Sequence, residues 1–207
     1  MKLVCIETLA ELRHCSPAWD DLWWRSNSSL PTHRGELLAQ WLEHFAGGKR
    51  FAALAIEADG QLVAALPLVP GRKLRWLPVG KQASNCWAEA GTLLLDPHAP
   101  PAALQLLVDG LRKLPWLLLT LDAVDLQAAH WARLRDLFTE QRTTTQTVPQ
   151  YHVGVIDITH DWTAYVAALS GNHRSAIKRT RKKLEKEGGV RLQVRRDFAS
   201  DQLEALR

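Results

Sequence analysis

The hydrophobic positions of residues 1–158 follow two periods that alternate along the chain. Apolar spacings of three and four residues predict helices, and short continuous or alternating apolar runs predict strands. Helices are predicted from Ser16-Pro17, where a capping residue precedes a proline, and over residues 32–45, 100–114 and 126–141. Strands are predicted over residues 2–7, 51–57, 61–69, 74–79, 91–95, 116–121, 143–148 and 151–158. This order predicts an α/β fold whose mixed sheet, part antiparallel and part parallel, is flanked by helices.

Three local features make this prediction specific. The Asp59-Gly60 pair between two apolar runs predicts a β-hairpin, because both residues accept the conformation that a two-residue turn requires. The uninterrupted apolar run 116–121 predicts a strand that is covered on both faces. The second helix is expected to bury one apolar side, formed by Leu37, Leu38, Trp41 and Phe45.

Residues 159–207 begin a second set of elements. Asp161 starts a helical stretch, Ser170 breaks it or caps a new helix, and Gly188-Gly189 ends that helix. A strand at 190–194 and a helix from residue 197 are predicted to follow. Because these few elements cannot bury a core by themselves, we interpret residues 1–158 as one domain and 159–207 as the incomplete start of a second. An appendage of the first domain is the alternative.

The composition is that of a folded protein that works inside the cell. With 46% hydrophobic and 23% charged residues, the chain is globular rather than disordered. Glu7, Glu11 and Arg13 interrupt the first apolar run too early for a secretion signal, and no apolar segment has the length of a membrane span. The cysteines, which form no C-x-x-C pair and are each expected to be a small buried hydrophobe, are Cys5, Cys15 and Cys86. These features predict a cytoplasmic protein.

The positive charge is concentrated in one segment. Residues 171–196 contain ten Lys or Arg and only two Glu, so the basic character belongs to this segment and not to the whole chain. The candidate substrate-binding residues, spaced so that they line one stripe of a helix over 171–187, are Arg174, Lys178, Arg181 and Lys182. His173, beside them, is a candidate base for an acceptor amine.

Three interpretations of this basic helix remain open. It recognises an anionic acceptor or carrier through arginine and lysine, it binds a polyanion such as nucleic acid or an acidic surface, or it is a solvated face packed through Ile177 and Leu184. Nucleic acid is the less favoured partner, because no aromatic residues interleave with the cations and no helix-turn-helix pattern surrounds them.

Other residue types give weaker signals. No two histidines have metal-ligand spacing, so no metal is expected. The tryptophans that fall on predicted helix faces and are expected in the core are Trp19, Trp23, Trp41, Trp131 and Trp162. Three others, Trp24, Trp76 and Trp87, are harder to place in a core and are candidates for stacking on a sugar. The irregular loop around Ser84-Asn85 is an ordinary connection or a binding loop.

The basic segment and the order of elements together carry a family resemblance. The order over residues 1–158 resembles the GNAT (acyl-CoA N-acyltransferase) fold, and residues 162–194 resemble the start of the conserved region of CelD-like acyltransferases, relatives of tandem-GNAT peptidyltransferases. The matching positions are Trp162, Leu169, Ser170, Arg174, Ile177, Lys178, Arg179, Arg181, Lys182, Lys183, Leu184 and Gly188. Upstream, Trp41 with Phe45 and the strand 61–67 followed by Leu68 are weaker matches.

This resemblance implies transfer of an acyl group from acetyl-CoA or another acyl-CoA to an amine. The acceptor that it implies is a small molecule or saccharide related to sugars or the cell envelope, and no metal takes part. In the GNAT superfamily the carrier's pyrophosphate lies on a glycine-rich loop at a helix N-terminus. The matching place here, residues 96–103, contains no glycine and three prolines. We therefore expect residues 1–158 to be a degenerate GNAT domain, with the carrier site and the catalytic residues in the second domain, beyond Arg207. A non-catalytic polyanion-binding module and an interaction protein with tryptophan-rich faces are the alternatives.

Overall fold

The computed structural model describes residues 1–26, 28, 30–47, 50–88, 91, 93–150, 152, 159 and 161–188. The chain divides into two compact units, residues 1–150 and 151–207, and each is described by itself. In the first unit the strands are β1 (Lys2–Ile6), β2 (Ala52–Ala58), β3 (Gln61–Lys73), β4 (Leu77–Gln82), β5 (Leu94–Leu95) and β6 (Leu118–Thr120). Its helices are α1 (Leu9–Arg25), α2 (Gly35–Phe45), α3 (Pro101–Leu111) and α4 (Ala129–Glu140), with a 3-10 turn at Pro31–His33.

The described strands form one mixed sheet. Their order is β1-β2-β3-β4-β6, and β5 pairs with β3 outside this path. All neighbours are antiparallel except β4 and β6, which run parallel and align Gly80 with Leu119. The predicted α/β fold with a mixed, helix-flanked sheet is confirmed.

The predicted hairpin at Asp59-Gly60 is also confirmed. Strands β2 and β3 pair from Ala58↔Gln61 onward, and the two turn residues have φ angles of 50° and 80°. Glycine tolerates a positive φ at no steric cost and aspartate tolerates it better than most residues, which is why this pair marks the turn.

Strands β4 and β5 are two parts of one interrupted strand. Ala64 and Ala65 of β3 pair with β2 on one edge and with β5 on the other, which is the edge that β4 occupies further along β3. The described residues between the two parts, 83–88, 91 and 93, belong to neither strand.

The core has two halves, one on each face of the sheet. Alternate residues of β2 point into different halves, since Ala53 and Ala55 belong to one buried cluster and Leu54 and Ile56 to the other. The first cluster is completed by α1 and α2, through Leu12, Trp19, Leu22, Leu38 and Leu42. The second is completed by α3 and α4, through Leu104, Leu107, Val108, Trp131 and Leu134. Two helices thus cover each face.

The first helix begins earlier than the sequence pattern predicts. Thr8 caps α1, its Oγ1 accepts from the Glu11 amide, and the Glu11 carboxylate accepts from the Thr8 amide, which forms a capping box. Pro17 consequently lies inside the helix, so the predicted start at Ser16-Pro17 is wrong. Burial of the helix face on both sides of Pro17 outweighs the loss of one backbone hydrogen bond.

The buried side of α2 also differs from the predicted one. Leu38, Ala39 and Leu42 are buried, whereas Leu37 and Phe45 are exposed. Gly35 sets this orientation, because a Cβ built on it would lie 2.7 Å from Ser16 Oγ of α1. The helix begins at this glycine, after the 3-10 turn, rather than at residue 32.

Three predicted strands are corrected in extent or burial. Residues 74–76 are a turn, and the strand expected at 74–79 is β4, which begins at Leu77. The run 116–121 contributes only β6, at the end of the described strand order, and its residues are half-buried rather than covered on both faces. Residues 143–148 form no strand and are largely exposed. The strands predicted at 151–158 and 190–194 and the helix from 197 lie outside the described residues, apart from position 152.

The second unit contains two described helices, α5 (Trp162–Ala168) and α6 (Gly171–Glu187). Asp161 caps α5 by accepting from the Ala164 amide at 2.7 Å, and Ser170 caps α6 by accepting from the His173 amide. Gly188, with a φ of 128°, follows the last residue of α6. The predicted start at Asp161, the new cap at Ser170 and the end at Gly188 are confirmed.

Candidate functional site

The loop between β5 and α3 is the place that the resemblance matches to the acyl-carrier site, and the sequence predicts that this site has been lost here. It runs from Asp96 to the first residues of α3, and Pro100 stands at the cap position without a side-chain hydrogen bond to the helix. A phosphate at such a place would need free backbone amides, because these and the helix dipole are what hold an anion there.

The amides of this loop are used inside the protein. The Asp96 amide donates to Val63 O at 2.9 Å, the His98 amide to Asp96 Oδ1 at 2.8 Å, and the Ala99 amide to Asp96 O at 2.9 Å. The Ala103 amide donates to Pro100 O at 2.8 Å, and the three prolines have no amide hydrogen. Only Ala102 lacks a hydrogen bond of this kind within the loop.

The first residue of the loop, Asp96, also contributes a carboxylate. Asp96 forms an ion pair with Arg25 from the end of α1, and Arg25 Nη2 donates to Leu62 O at 2.8 Å. The Asp96 side chain is only 12% exposed. Because the amides of this loop are bonded internally or replaced by prolines, and Arg25 is already paired with Asp96, the residues of this loop do not fit a pyrophosphate group.

The parallel β4–β6 pair is covered by the Trp116 side chain at Gly80. A Cβ built on Gly80 would lie 2.0 Å from Trp116 Cε3, so the indole ring rests directly on the glycine backbone. Between β4 and β5, a Cβ on Gly91 would lie 2.1 Å from Gln82 Oε1. Both glycines allow contacts that any larger residue would prevent.

Two of the predicted substrate-binding residues bond within the second unit. Arg174 Nη1 donates to Ala167 O at 2.9 Å and to Leu169 O at 2.8 Å, which are carbonyl groups at the end of α5. His173 Nδ1 lies 2.9 Å from Ser170 Oγ, within the cap of α6. Both side chains are therefore engaged in joining and capping these helices.

The other predicted residues remain directed outward on α6. Lys178, Arg181 and Lys182 are exposed, and Arg181 pairs with Glu185 at 2.9 Å in an exposed pair of the kind that adds little stability. Ile177 of the same helix is half-buried. The described part of α6 thus presents a basic stripe, and no residue of the helix is fully buried.

The fold is shared with acetyltransferases of known structure. An aminoglycoside acetyltransferase from an uncultured soil metagenomic sample superposes with a TM-score of 0.50 at 16% identity, covering 75% of this chain and 100% of that one. The chain therefore has the same fold as this acetyltransferase. Similar coverage, with lower scores, is found for two others. The ribosomal-protein-alanine N-acetyltransferase from Brucella melitensis biovar Abortus 2308 gives 0.42 at 15% identity, covering 75% of this chain and 100% of that one. The glucosamine-6-phosphate N-acetyltransferase from Arabidopsis thaliana gives 0.43 at 12% identity, covering 74% and 99%.

The likeness is confined to structure. No protein-family profile matches the sequence. No curated protein matches it at significance. At these identities the comparison establishes the fold of the chain, and the chemistry has to be argued from its residues.

The tryptophans separate largely as predicted, with two corrections. Trp19, Trp23 and Trp131 are buried, while Trp41 is only partly buried. Trp162 is 65% exposed and stacks on Tyr165 of its own helix, so its expected place in a core is wrong for the described part of the chain. The three tryptophans expected outside the core, Trp24, Trp76 and Trp87, are each more than 70% exposed.

Two of the thiols, Cys5 and Cys15, are shifted away from nucleophilic chemistry. Cys5 and Cys86 are exposed and Cys15 is half-buried, so the expectation that all three are buried hydrophobes is wrong. Desolvation, with the nearby Glu7 and Glu11 carboxylates, raises the pKa of the Cys5 thiol, and desolvation raises the pKa of Cys15. A reactive cysteine needs the opposite shift.

Two further features complete the description of candidate sites. Among the described residues, no group of three or more His, Cys, Asp or Glu side chains is arranged to hold a metal ion. None of the described helices is long and apolar enough to cross a membrane.

Sequence reasoning missed Arg25 as the partner of the loop. Arg25 and Asp96 are 71 positions apart, and no local pattern connects them. The only signal in the sequence was Asp96 itself, an acidic residue in the loop that the resemblance matches to a phosphate site.

Proposed function

We propose that this chain is part of a cytoplasmic N-acyltransferase that transfers an acyl group from an acyl-CoA to an amine, and that residues 1–158 are its scaffold rather than its carrier-binding half. The observation that carries this proposal is the loop at the start of α3. The fold is that of acetyltransferases, yet the loop amides bond internally and Asp96 stands where an anion would lie.

The carrier site then belongs to a second domain, of which residues 159–207 are the first elements. Support comes from the resemblance of residues 162–194 to CelD-like acyltransferases and from the separation of the chain into two compact units. In such a tandem arrangement one domain can lose its carrier site without loss of activity. The proposed carrier is acetyl-CoA or a related acyl-CoA.

The proposed acceptor is a sugar or another small molecule of cell-envelope chemistry that bears an amine. Trp24 and Trp87 are largely exposed and offer flat rings of the kind that stack on sugars. Trp87 lies in the tight turn Asn85–Ala88, where the Asn85 side chain accepts from the Trp87 amide at 2.9 Å, so its backbone is well fixed. The outward cations of α6, Lys178, Arg181 and Lys182, are proposed to attract an anionic part of the acceptor or carrier.

The experiment is a calorimetric titration with acetyl-CoA. The reading frame after codon 207 is sequenced, and residues 1–207 and the longer product are titrated side by side, with free coenzyme A as a second ligand. We expect a frame that continues with a glycine-rich strand-to-helix loop, binding by the longer product, and no binding by residues 1–207.

Two results would contradict this proposal. Binding of acetyl-CoA by residues 1–207 would show that the first unit retains a carrier site. A frame that stops at codon 207, or a longer product that does not bind, would remove the enzyme interpretation altogether.

A second candidate is a non-catalytic module that binds a polyanion through α6. Its support is the exposure of Lys178 and Lys182, neither of which pairs with an acid among the described residues. Salt separates the two functions, because polyanion affinity falls steeply with ionic strength, with a log–log slope of about −0.9 per phosphate contact on duplex DNA. Binding of acetyl-CoA by the longer product should depend on salt much less.

A further inference from the structure

The turn between β3 and β4 projects beyond the rest of the described sheet. The pairing of β3 with β2 ends at Leu68, and the pairing of β4 with β6 begins at Val79. The last two residue pairs of the hairpin therefore have no further strand beside them in the described sheet. These pairs are Arg72↔Pro78 and Lys73↔Leu77. We call residues 72–76 the hairpin tip.

The hairpin tip contains residues that suit its backbone poorly. Leu74 and Arg75 have φ angles of 50° and 68°, in the left-handed region that bulky residues avoid. The other hairpin of this sheet places Asp59 and Gly60 at similar φ angles, so the same chain shows what a favourable turn looks like. Packing does not explain the choice, since Leu74 is 71% exposed.

Large apolar side chains are concentrated at this end of the sheet. Leu74, Trp76 and Leu117 are 71%, 71% and 77% exposed. The Leu117 amide donates to Pro78 O at 3.2 Å, which places the start of β6 beside the hairpin tip. Several exposed apolar residues together, unlike single ones, indicate a contact surface.

The same surface is positively charged. Arg72, Lys73 and Arg75 are exposed, and within the described part of the chain none of them pairs with an acid. The sequence contains no Asp or Glu between residues 61 and 88. The partner of this surface must therefore be both negatively charged and able to accept leucine and tryptophan side chains.

We propose that the hairpin tip docks onto the surface of an anionic lipid bilayer. Trp76, Leu74 and Leu117 enter the boundary between headgroups and acyl chains, and the three cations contact lipid phosphates, as in other peripheral anchors. Leucine favours lipid over nucleic acid, because an aliphatic side chain cannot stack on a base as an aromatic ring does. The strained turn is retained because it presents these side chains. This proposal does not depend on the acyl-transfer function.

The test is co-sedimentation of residues 1–207 with vesicles of phosphatidylcholine, alone or mixed with phosphatidylglycerol. We expect binding to the anionic vesicles only. The variant Leu74→Asn/Arg75→Gly supplies residues that prefer a positive φ and removes one apolar and one cationic side chain. It should bind at least about tenfold more weakly, since one cation alone contributes about fivefold. Its thermal midpoint should rise by roughly 2–4 °C as the turn strain is relieved.

A matched control on α6 separates the hairpin tip from the basic helix. Leu184→Asn/Lys186→Gln also removes one exposed leucine and one cation, and it should retain wild-type binding. Weaker vesicle binding in this control but not in the hairpin variant would overturn the proposal. So would unchanged binding in the hairpin variant, or a wild-type chain that binds single-stranded DNA and ignores anionic vesicles.

Discussion

At the scale of single residues, close packing contacts determine which side chain a position tolerates more than local backbone preference does. Gly71 and Gly80 lie on adjacent strands, yet they meet different surroundings. A Cβ on Gly71 would sit at an ordinary 3.5 Å from the Lys81 side chain, whereas a Cβ on Gly80 would overlap the Trp116 ring. Glycine is therefore required at one position and is replaceable at the other.

This contrast predicts the outcome of two substitutions. Gly80→Ala should destabilise the protein by about 1–3 kcal/mol, because the indole ring must move from its packed position. Gly71→Ala should change stability by less than about 0.5 kcal/mol, since the new methyl group makes only ordinary van der Waals contacts. Urea unfolding of both variants measures this difference. Equal effects would show that Trp116 does not constrain Gly80.

At the scale of elements, the ends of the helices are fixed by side chains that bond back to the backbone. Thr8 and Glu11 cap α1, Ser170 caps α6, and Arg174 bonds the last carbonyls of α5. At α1 the capping box of Thr8 and Glu11 fixes a start that the local Ser16-Pro17 signal placed eight residues too late.

The capping box of α1 predicts a dependence on pH. Hydrogen bonds from the Glu7 and Thr8 amides lower the pKa of Glu11 in the folded protein. Because the pKa of Glu11 is lower in the folded than in the unfolded protein, its stabilising contribution is fully present above its pKa in the unfolded state. That contribution is lost as the pH falls through its pKa in the folded state. Glu11→Ala should thus be less stable than wild type at neutral pH, and the gap should close on acidification below the usual range for a glutamate.

Urea unfolding across this pH range measures the gap. Thr8→Ala, which removes the other half of the box, should cost about 1 kcal/mol. Glu7→Ala is the control, because it removes a carboxylate from the same turn but leaves both capping bonds intact. A gap between wild type and Glu11→Ala that stays constant on acidification would rule out the capping explanation.

At the scale of the whole molecule, the buried residues found among the described parts of the chain all belong to the first unit. Both core clusters are formed by residues between Ile6 and Leu137, and α5 and α6 contain no fully buried residue. The first unit thus contains the apolar burial that drives cooperative folding.

Residues 1–150 are accordingly expected to fold alone. Their thermal unfolding, followed by circular dichroism, should be cooperative and have a midpoint within roughly 4 °C of the value for residues 1–207. Loss of cooperativity in residues 1–150 would mean that the second unit completes the core.

The sequence by itself determined the features that depend on neighbours in the chain. The Asp59-Gly60 hairpin, the caps at Asp161 and Ser170, the end at Gly188 and the α/β alternation all follow from backbone preferences and short-range hydrogen bonds. The three prolines of the loop before α3 also showed, without a structure, that a phosphate would find few amides there.

Only the tertiary structure decided the features that depend on distant residues. Arg25 meets Asp96, Trp116 covers Gly80, and β6 lies at the end of the described strands rather than inside the sheet, because the packing of the whole unit brings these segments together. The interruption between β4 and β5 and the projection of the hairpin tip likewise follow from strand register, which a run of apolar letters does not encode. Short-range energetics fix the elements, and long-range packing fixes the surface they present.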